Sequence, residues 1–579
     1  MTTENYYVLA FDIDDTKKIV KKLKDKKKKI LALTPNAFEI LKSNKFENII
    51  TPHEISKNLH QNLAEENIRF RDQLNYILKK NKNVIFSDES FQNIIIQCFS
   101  TLNFFSITLK KNSFYYLFLD NKFELNSKNQ TYHKLIDLII LKKYGIFKIN
   151  KNNSKKFFYL KKIINDFLFF FIKKKKIIFN FLGNKKKLSY SKKSLEITFG
   201  SLSNSYIANF YLIGKSFFQF FVNDNIKIIF PEVSRKKNFK LKEDLESFLS
   251  LLNFEVIGNK NGKLINFLYE NILYEWEIKN FLEKRFKNLD LKYLFADHLT
   301  WMDPFCVASF LNDKKLPVFL SSHGMIDLNE NKYEKNELVS LATGLCFSKY
   351  ASTVIAQTPM ANQVSNKFLD KYNYNIIKTH PIAYNGFRSK KNSKKKTVNI
   401  LFAGTYKVFL SRPYIYQDSF EFYQMIKKLI LVFRNLKNVN LVLNIRTNDE
   451  IDNFFLKRLV QKDLNINFFF NANIEKLMQE SDLLITNFST LIDEYSYLNK
   501  PVIILRDFLR YESYKDLYLG EIKNELLNPI YYLTYEELHS EIIDILEKIK
   551  KDVKVNKPRH IWSIEEAFDN QTLLKIINE

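Results

Sequence analysis

Histidine and carboxylate side chains follow two predicted strands in the middle of the chain, where their types suit acid–base chemistry. Asp297 and His298 come after the apolar run 293–296, and His323 comes shortly after the run 317–320. Ligand crevices lie outside the carboxyl ends of parallel strands, so we expect these side chains to share one edge of a sheet. An imidazole titrates near neutral pH, as proton abstraction from a hydroxyl requires. The alternative is that the loop histidines only donate structural hydrogen bonds.

A second set of chemical groups lies near the end of the sequence, where an apolar run gives way to hydroxyls and then to a helical pattern. Leu483 to Ile485 predicts a buried strand, Ser489 and Thr490 follow it, and a helix is predicted from Leu491. The unpaired N–H groups at a helix start attract phosphate. Glu494, one turn further on, can accept the hydroxyls of a ribose. The alternative is a serine-capped helix of no function, with Glu494 as a solvated surface charge.

Strands alternating with helices are predicted around both sets of residues, which indicates an α/β chain built from βα units. The first unit opens with a strand at Tyr7 to Phe11. Asp12, Asp14 and Asp15 follow it, and we interpret them as helix caps rather than metal ligands, since no second acidic cluster completes a site. From about 55 to 255 the pattern weakens to helical patches rich in Phe and Lys.

A polar basic segment, Arg388 to Lys396, divides the chain into two predicted domains. The N-terminal α/β domain covers residues 1–390 and contains the weakly patterned region, about 55–255, as an insertion. The C-terminal α/β domain covers residues 391–579. Its first strand ends near Gly404, a residue type that suits close approach of the backbone to a ligand.

The chain from roughly 290 to 510 resembles transferases that build bacterial surface polymers, above all CDP-glycerol glycerophosphotransferases and capsule-polysaccharide transferases. The Ser489 and Thr490 pair, the acidic Glu494 and the Lys-Pro-Val strand start at Lys500 carry this resemblance. Asn487 and the phenylalanine after it replace the usual Asp-Tyr.

Three further segments are similar to motifs of these families. His323 and its following glycine are similar to a Trp-His-Gly motif whose histidine lies on the acceptor side. The segment from Ala403 to Tyr406 is similar to an Ala-Pro-Thr-Trp-Arg strand ending. Arg446 stands where the relatives place Lys-x-His-Pro. Because a guanidinium binds a diphosphate but does not act as acid or base, we assign Arg446 to binding only.

The resemblance implies a fold and a division of roles. It implies a GT-B fold: two Rossmann-like α/β domains facing a cleft, with a helical elaboration in the N-terminal half. The resemblance implies His323 as the catalytic residue on the acceptor side, and Asp297 and His298 are further candidates because they follow the neighbouring predicted strand. The residues implied to bind the nucleotide donor are Gly404, Thr405, Arg446, Asn487, Ser489, Thr490 and Glu494.

The charge and composition of the chain limit the kinds of partner that we expect it to bind. Lys and Arg total 90 against 63 acidic residues, a formal net charge of +27, which favours anionic partners such as nucleotide donors and membrane surfaces. Much of this excess follows from a sequence rich in Lys, Asn, Ile and Phe together, as AT-rich coding produces. Aromatic residues do not interleave regularly with basic ones, so we predict no nucleic-acid partner. The widely spaced cysteines suggest neither a disulfide framework nor a zinc site, and we expect no cofactor and no required metal.

The predicted function is transfer of a sugar or polyol phosphate from a nucleotide-activated donor, with a cytidine-based donor as the narrower expectation, onto a bacterial surface glycan or glycolipid. No signal peptide or spanning segment is predicted, so we expect a cytoplasmic protein, with peripheral attachment to the inner face of the membrane as a further expectation. Three alternatives stay open. They are a retaining Kdo- or sialic-acid-like transferase using Asp297 as nucleophile, a sugar-nucleotide 2-epimerase, and a nonenzymatic protein that binds membranes or nucleic acid.

Overall fold

The computed structural model builds the chain from parallel β-sheets covered by helices. It describes residues 7–10, 13–27, 29–80, 89–108, 115–117, 147–148, 194–199, 225–230, 239–252, 293–296, 299–300, 302–322, 331–380, 396–404, 412–445, 465–470, 472–487, 491–507 and 525–556, with shorter pieces at 268–269, 272, 279, 283, 451, 456, 459–460, 489, 510, 560–562 and 566–567. Among the helices in these ranges, none is both long and apolar enough to cross a bilayer.

The first sheet is parallel and has the strand order β3-β2-β1-β4-β5. Its segment of the chain contains β1 (Tyr7–Ala10), α1 (Ile13–Lys22), β2 (Lys29–Ala32), α2 (Pro35–Ser43), β3 (Ile49–Ile50), α3 (Pro52–Ile55), α4 (Leu59–Lys80), α5 (Glu89–Thr108), β4 (Tyr115–Leu117) and β5 (Phe147–Lys148). The predicted βα opening is confirmed. Helix α2 begins where Thr34 accepts a hydrogen bond from the Ala37 N–H at 3.2 Å.

Two strands of this sheet, β4 and β5, fall inside the region predicted as a helical insertion. Strand β4 pairs with β1, and β5 pairs with β4. With three and two residues, they are too short to give a recognisable apolar pattern. That region also contains the helices α4 and α5 and a parallel pair, β6 (Ser194–Phe199) with β7 (Asn225–Phe230). The helix α6 (Phe239–Leu251) ends it.

The second sheet is also parallel, with the order β11-β10-β9-β8. Its segment contains β8 (Leu294–Ala296), α7 (Met302–Asp313), β9 (Val318–Ser321), α8 (Lys332–Ala342), β10 (Thr353–Ala356), α9 (Pro359–Lys367), α10 (Leu369–Tyr372) and β11 (Asn375–Lys378). Strands β9 and β10 are buried along their whole length. The two strands predicted to carry the histidine loops are therefore present as neighbours in one sheet.

The third sheet has the order β14-β13-β12-β15-β16-β17, all parallel. Its segment contains β12 (Val398–Gly404), α11 (Ser419–Phe433), β13 (Val439–Ile445), β14 (Ile466–Phe470), α12 (Ile474–Glu480), β15 (Leu483–Thr486), α13 (Leu491–Tyr497), β16 (Val502–Leu505), β17 (Ile530–Leu533) and α14 (Tyr535–Lys550). Numbered within the sheet, this is the 3-2-1-4-5-6 order of a Rossmann fold. Its topological switch point lies between β12 and β15, so the sheet's ligand crevice is expected at their carboxyl ends.

The helix that follows β12 shows how the sequence fixes this sheet. Phe422, Ile426, Leu429 and Phe433 recur every three or four residues along α11 and are all buried against the sheet. Asp418 starts the helix as its N-cap and forms a reciprocal capping box with Glu421. The position of α11, and of the segment 412–418 before it, is therefore fixed relative to the strand ends.

Candidate active site

The carboxyl ends of β12 and β15 are tied together by side-chain hydrogen bonds. The Thr486 hydroxyl donates to the Ala403 carbonyl at 2.7 Å. Asn487, the next residue, is buried and donates its amide to the side-chain oxygen of Gln417. The other amide atoms, Asn487 Oδ1 and Gln417 Nε2, are buried and form no hydrogen bond within the described protein. One hydrogen-bond acceptor and one hydrogen-bond donor are therefore left for other partners at the carboxyl edge of the sheet, where sheets of this topology bind ligands.

The turn after β15 has the predicted strand, loop and helix order. The Ser489 oxygen accepts a hydrogen bond from the Leu491 N–H at 3.2 Å, which confirms the capping interaction. The Ser489 O–H can still donate to a ligand. Thr490 and the side chain of Glu494 lie outside the described residues, although the backbone of Glu494 is one turn into α13. Phosphate binding by this turn stays a prediction.

Gly404 has a packing role that the sequence did not reveal. A Cβ atom at this position would lie 2.7 Å from the ring of Phe402 and 2.8 Å from the ring of Phe422. Only glycine fits between these rings without displacing one of them, and its approach to a ligand stays a prediction. Gly404 pairs with Ile445 at the ends of β12 and β13. Thr405 and Arg446 follow these strand ends directly but lie outside the described residues.

The predicted acceptor-side residues Asp297, His298 and His323 also lie outside the described residues. The strands that precede them are described, and Ala296 of β8 pairs with Leu320 of β9. These parallel neighbours end at one edge of the second sheet, as predicted. Ser322, the residue before His323, is fixed there: its N–H donates to the Ile355 carbonyl at 2.9 Å, and its Oγ accepts from the Gln357 N–H at 3.0 Å.

A buried set of charged groups, which sequence analysis missed, links the N-terminal helices to the start of α11. We call His53, His60, Asp418 and Glu421 the His–carboxylate cluster. His60 places Nδ1 2.6 Å from the Pro413 carbonyl and Nε2 3.0 Å from Asp418 Oδ2. His53 Nε2 contacts the same Oδ2 atom. The other Asp418 oxygen accepts the N–H groups of Phe420 at 2.7 Å and Glu421 at 2.9 Å, as an N-cap does.

The electrostatics of this cluster are set by mutual pairing under burial. Burial lowers the pKa of His60, but Glu421 and Asp418 outweigh both burial and Arg510 and raise this pKa to about 9. Burial likewise opposes a higher pKa for His53, yet Asp418 raises it. The pKa of the Asp418 carboxyl is lowered, because the two histidines outweigh the effect of burial. The raised pKa values of both histidines favour their protonated forms beside the carboxylates of Asp418 and Glu421.

Arg510, from the segment after β16, adds a further positive charge beside Glu421. Its Nη1 and Nη2 bind the two oxygens of Glu421 at 2.5 and 3.0 Å. Its Nε donates to the Tyr414 carbonyl at 3.0 Å, and Nη2 also donates to the Tyr416 carbonyl at 2.7 Å. A guanidinium suits this task, since its planar fork satisfies a carboxylate and backbone acceptors together.

Glu337 of α8 holds the segment 412–418 from the other side. Its carboxylate accepts the N–H groups of Tyr414 and Ile415, each at 2.9 Å. Burial raises the pKa of Glu337 to about 7, although those backbone donors and the charges of Arg71 and Arg412 act in the opposite direction. The segment leading from β12 to α11 is thus held by residues of the N-terminal half, next to the predicted donor edge.

The C-terminal segment returns to the second sheet. Trp562 donates its indole N–H to the Ala356 carbonyl at 3.3 Å, and buried His560 lies 2.7 Å from the Ser496 hydroxyl of α13. Burial lowers the pKa of His560 to about 4 from 6.5. The segment therefore bridges the helix that follows the predicted phosphate turn and the edge of β10.

The low pKa of His560 predicts a loss of stability in mild acid. Because the unfolded state binds the proton more tightly, stability is complete above pH 6.5 and falls as the pH decreases toward 4. The difference between the folded and unfolded pKa values, about 2.5, corresponds to at most about 3 kcal/mol of the free energy of unfolding. We expect His560→Gln to reduce the pH dependence of the urea unfolding midpoint between pH 6.5 and 4. His539→Gln, at an exposed histidine of α14, is the control, and an equal effect of both changes would contradict the assignment.

The carboxyl-terminal part of the chain is similar to a known protein family. Residues 370–561 match the family model described as CDP-glycerol:poly(glycerophosphate) glycerophosphotransferase. The match contains β12, α11 and the turn between β15 and α13, that is, all of the predicted donor edge. This range of the chain is thus similar to the glycerophosphotransferase family. This match confirms the prediction of a surface-polysaccharide transferase that uses a nucleotide-activated donor, and it gives the 2-epimerase alternative no support.

The following solved structures are similar to the chain at low sequence identity. They include the UDP-GlcNAc 2-epimerase from Methanocaldococcus jannaschii in complex with UDP-GlcNAc and UDP, with 14% identity, a TM-score of 0.41 and coverage of 67% of this chain and 99% of that chain. The UDP-GlcNAc 2-epimerase from Neisseria meningitidis bound to UDP-GlcNAc has 13% identity, a TM-score of 0.38 and the same coverages. The apo lipopolysaccharide outer core galactosyltransferase WaaB has 10% identity, a TM-score of 0.31 and coverages of 64% and 92%.

At these TM-scores the similarities carry no argument about what the chain binds. No curated protein sequence matches the chain. The predicted α/β class with Rossmann-like sheets is confirmed by the parallel topology itself. The matched range contains the residues predicted to bind the donor, whereas the strands β8 and β9, predicted to lie on the acceptor side, precede it.

Proposed function

We propose that the protein transfers a polyol phosphate or sugar from a cytidine nucleotide donor to a hydroxyl of a surface glycan or glycolipid. The observation that carries the proposal is the family match over residues 370–561, because that range contains the whole switch point between β12 and β15. The nucleotide lies across these strand ends in the proposal. Arg446, the turn at Ser489 and the start of α13 bind its phosphates.

The acceptor side belongs to the second sheet. His323, after β9, takes the proton of the acceptor hydroxyl, while the hydroxyl oxygen forms a new bond to the transferred group. For a CDP-polyol, that oxygen bonds to the β-phosphorus, the bond between this phosphorus and the bridging oxygen breaks, and CMP leaves. Arg446 and the backbone N–H groups stabilise the leaving phosphate, so no metal is needed in this step.

The released nucleotide tests the proposed donor class. The full chain is incubated with CDP-glycerol, CMP-linked sugars or UDP-GlcNAc and a glycan acceptor, and the nucleotides are separated by ion-exchange chromatography. Acceptor-dependent release of CMP from a cytidine donor is expected. Release of UDP from UDP-GlcNAc, with no turnover of cytidine donors, would overturn the cytidine assignment while leaving a transferase in place.

A matched pair of variants tests the phosphate turn. Ser489→Ala combined with Thr490→Ala is expected to weaken nucleotide binding about 100-fold or more, since two hydroxyl donors to charged oxygens are lost at about 1.5–3 kcal/mol each. The unfolding midpoint without ligand should change little, because the Ser489 cap is a single hydrogen bond. Calorimetric titration with CDP measures the affinity. Ser540→Ala, at an exposed serine of α14, is the control. Equal CDP affinity in wild type and double variant would refute the assignment.

Peripheral attachment to an anionic membrane is also part of the proposal. It is supported by the net charge of +27 and by lysine clusters at 26–29, 173–176, 185–187 and 394–396. The clusters 173–176 and 185–187 lie outside the described residues. We expect cosedimentation with phosphatidylserine vesicles at low salt that is lost at high salt, because exposed charges are screened. Salt-resistant, sequence-dependent binding to DNA or RNA would contradict this expectation.

A further inference from the structure

The His–carboxylate cluster has the composition and spacing of a metal centre. It offers two imidazole nitrogens and two carboxylate oxygens that all lie within 4.8 Å of one another. His60 Nε2 is 3.0 Å from Asp418 Oδ2 and 3.4 Å from Glu421 Oε1. Ligands about 2.0–2.1 Å from a tetrahedral zinc ion lie roughly 3.3 Å apart, close to these separations.

The orientation of His60 supports the same conclusion. Its Nδ1 is 2.6 Å from the Pro413 carbonyl, so Nδ1 carries a proton and donates it. In the neutral ring, Nε2 then presents a lone pair to the oxygens of Asp418 and Glu421. A lone pair facing carboxylate oxygens is repulsive unless a proton or a metal ion lies between them. A backbone carbonyl that fixes the remote nitrogen is the usual support of a metal-binding histidine.

One divalent ion adds the same charge to the cluster as two protons. Asp418 and Glu421 carry two negative charges, and Arg510 returns one positive charge at Glu421. Two added positive charges are supplied either by two imidazolium ions or by one divalent ion. The two rings have centroids only 5.3 Å apart, so two imidazolium ions repel each other. A divalent ion places the same charge at one point and leaves both rings neutral, the state of imidazole at neutral pH in the absence of a partner.

From this geometry we propose that the His–carboxylate cluster binds one divalent transition-metal ion, for which zinc is the best fit. Two imidazoles with two carboxylates are ligands that zinc accepts, and the carboxylate of Asp418 keeps its second oxygen for the cap of α11. The ion joins α3 and α4 of the N-terminal half to the segment 412–418, next to Gln417 at the donor edge. Its role is structural: it fixes that segment, and the transfer step does not pass through it.

Metal content of the full chain tests the proposal. The protein is purified without a histidine tag, desalted, and analysed by inductively coupled plasma mass spectrometry after incubation with Zn²⁺. About one equivalent of zinc is expected, and a chelator should lower the unfolding midpoint. Replacement by Co²⁺ should give the visible d–d absorption of a four-coordinate site. The double change His53→Asn with His60→Gln should weaken Zn²⁺ binding at least about 100-fold, whereas His539→Asn, at an exposed histidine, should not.

Two results would overturn the proposal. One is a wild-type chain that retains no metal after incubation with Zn²⁺, Co²⁺ or Mn²⁺ and whose unfolding midpoint does not respond to a chelator; the cluster then holds protons. The other is one equivalent of metal retained by the double variant, which would place the ion elsewhere. Because wild-type content decides the first outcome, the test does not depend on the variant folding.

Discussion

His323→Ala is expected to lower the turnover number by about two to four orders of magnitude, with donor affinity nearly intact, the usual effect of losing a general base. Strand β9 brings the chain to the carboxyl edge of the second sheet, and Ser322 is fixed there by the backbone of β10 and the residue after it. His323 follows directly. The proposed donor contacts lie on the other sheet, so we expect the nucleotide still to bind. Steady-state release of CMP and calorimetric binding of CDP separate the two effects.

Asp297→Ala distinguishes this assignment from its rival. Ala296 pairs with Leu320, so Asp297 leaves the neighbouring strand at the same edge and is the nucleophile expected in a retaining mechanism. We expect Asp297→Ala to retain more activity than His323→Ala. Abolished transfer in Asp297→Ala, together with near wild-type turnover in His323→Ala, would replace the inverting mechanism by the covalent one.

Arg510→Ala is expected to cost about 3–5 kcal/mol of stability, the largest effect of a single substitution on the described fold. The change removes both bonds to Glu421 and those to the carbonyls of Tyr414 and Tyr416. It leaves the Glu421 carboxylate largely buried without its guanidinium partner, since only 13% of this side chain is exposed. Urea denaturation at neutral pH, with the same metal content in all samples, measures the loss.

A second arginine that follows β16 in the chain provides the matched control. Arg506 also pairs with a glutamate, Glu537, at 2.7 Å, but both side chains are more than a third exposed. Arg506→Ala should therefore cost no more than about 1 kcal/mol. Arg510→Lys should recover part of the stability, because an ammonium restores the charge but not the forked contact. Equal losses for Arg506→Ala and Arg510→Ala would show that the buried contacts of Arg510 contribute nothing specific.

The strands and helices of the third sheet were largely predictable from the sequence. The helix α13 begins at Leu491, as predicted, and β15 extends the predicted strand by one residue. Each is a short apolar or periodic run bounded by polar residues, proline or a cap. Buried parallel strands give this local signal because both of their faces are covered.

The buried contacts around the segment 412–418 were not predictable in this way. His60 and Asp418 are 358 residues apart, and Glu337 reaches Ile415 across 78 residues. No local pattern in the sequence marks such pairs. Gly404 shows the same limit, since its need for glycine comes from the rings of Phe402 and Phe422. The resemblance to a family led to the prediction of the donor edge, whereas the contacts that join the segment 412–418 to the N-terminal half are known only from the fold.

A structure of the full chain with bound CDP tests the central claim most directly, namely that the switch point of the third sheet holds the donor nucleotide. We predict that the diphosphate lies at the carboxyl ends of β12 and β15, within hydrogen-bond distance of Ser489 and of the first N–H groups of α13. Asn487 Oδ1 or Gln417 Nε2 should gain a partner there. CDP bound at the second sheet, or on the lysine clusters with the β12–β15 edge empty, would contradict the account.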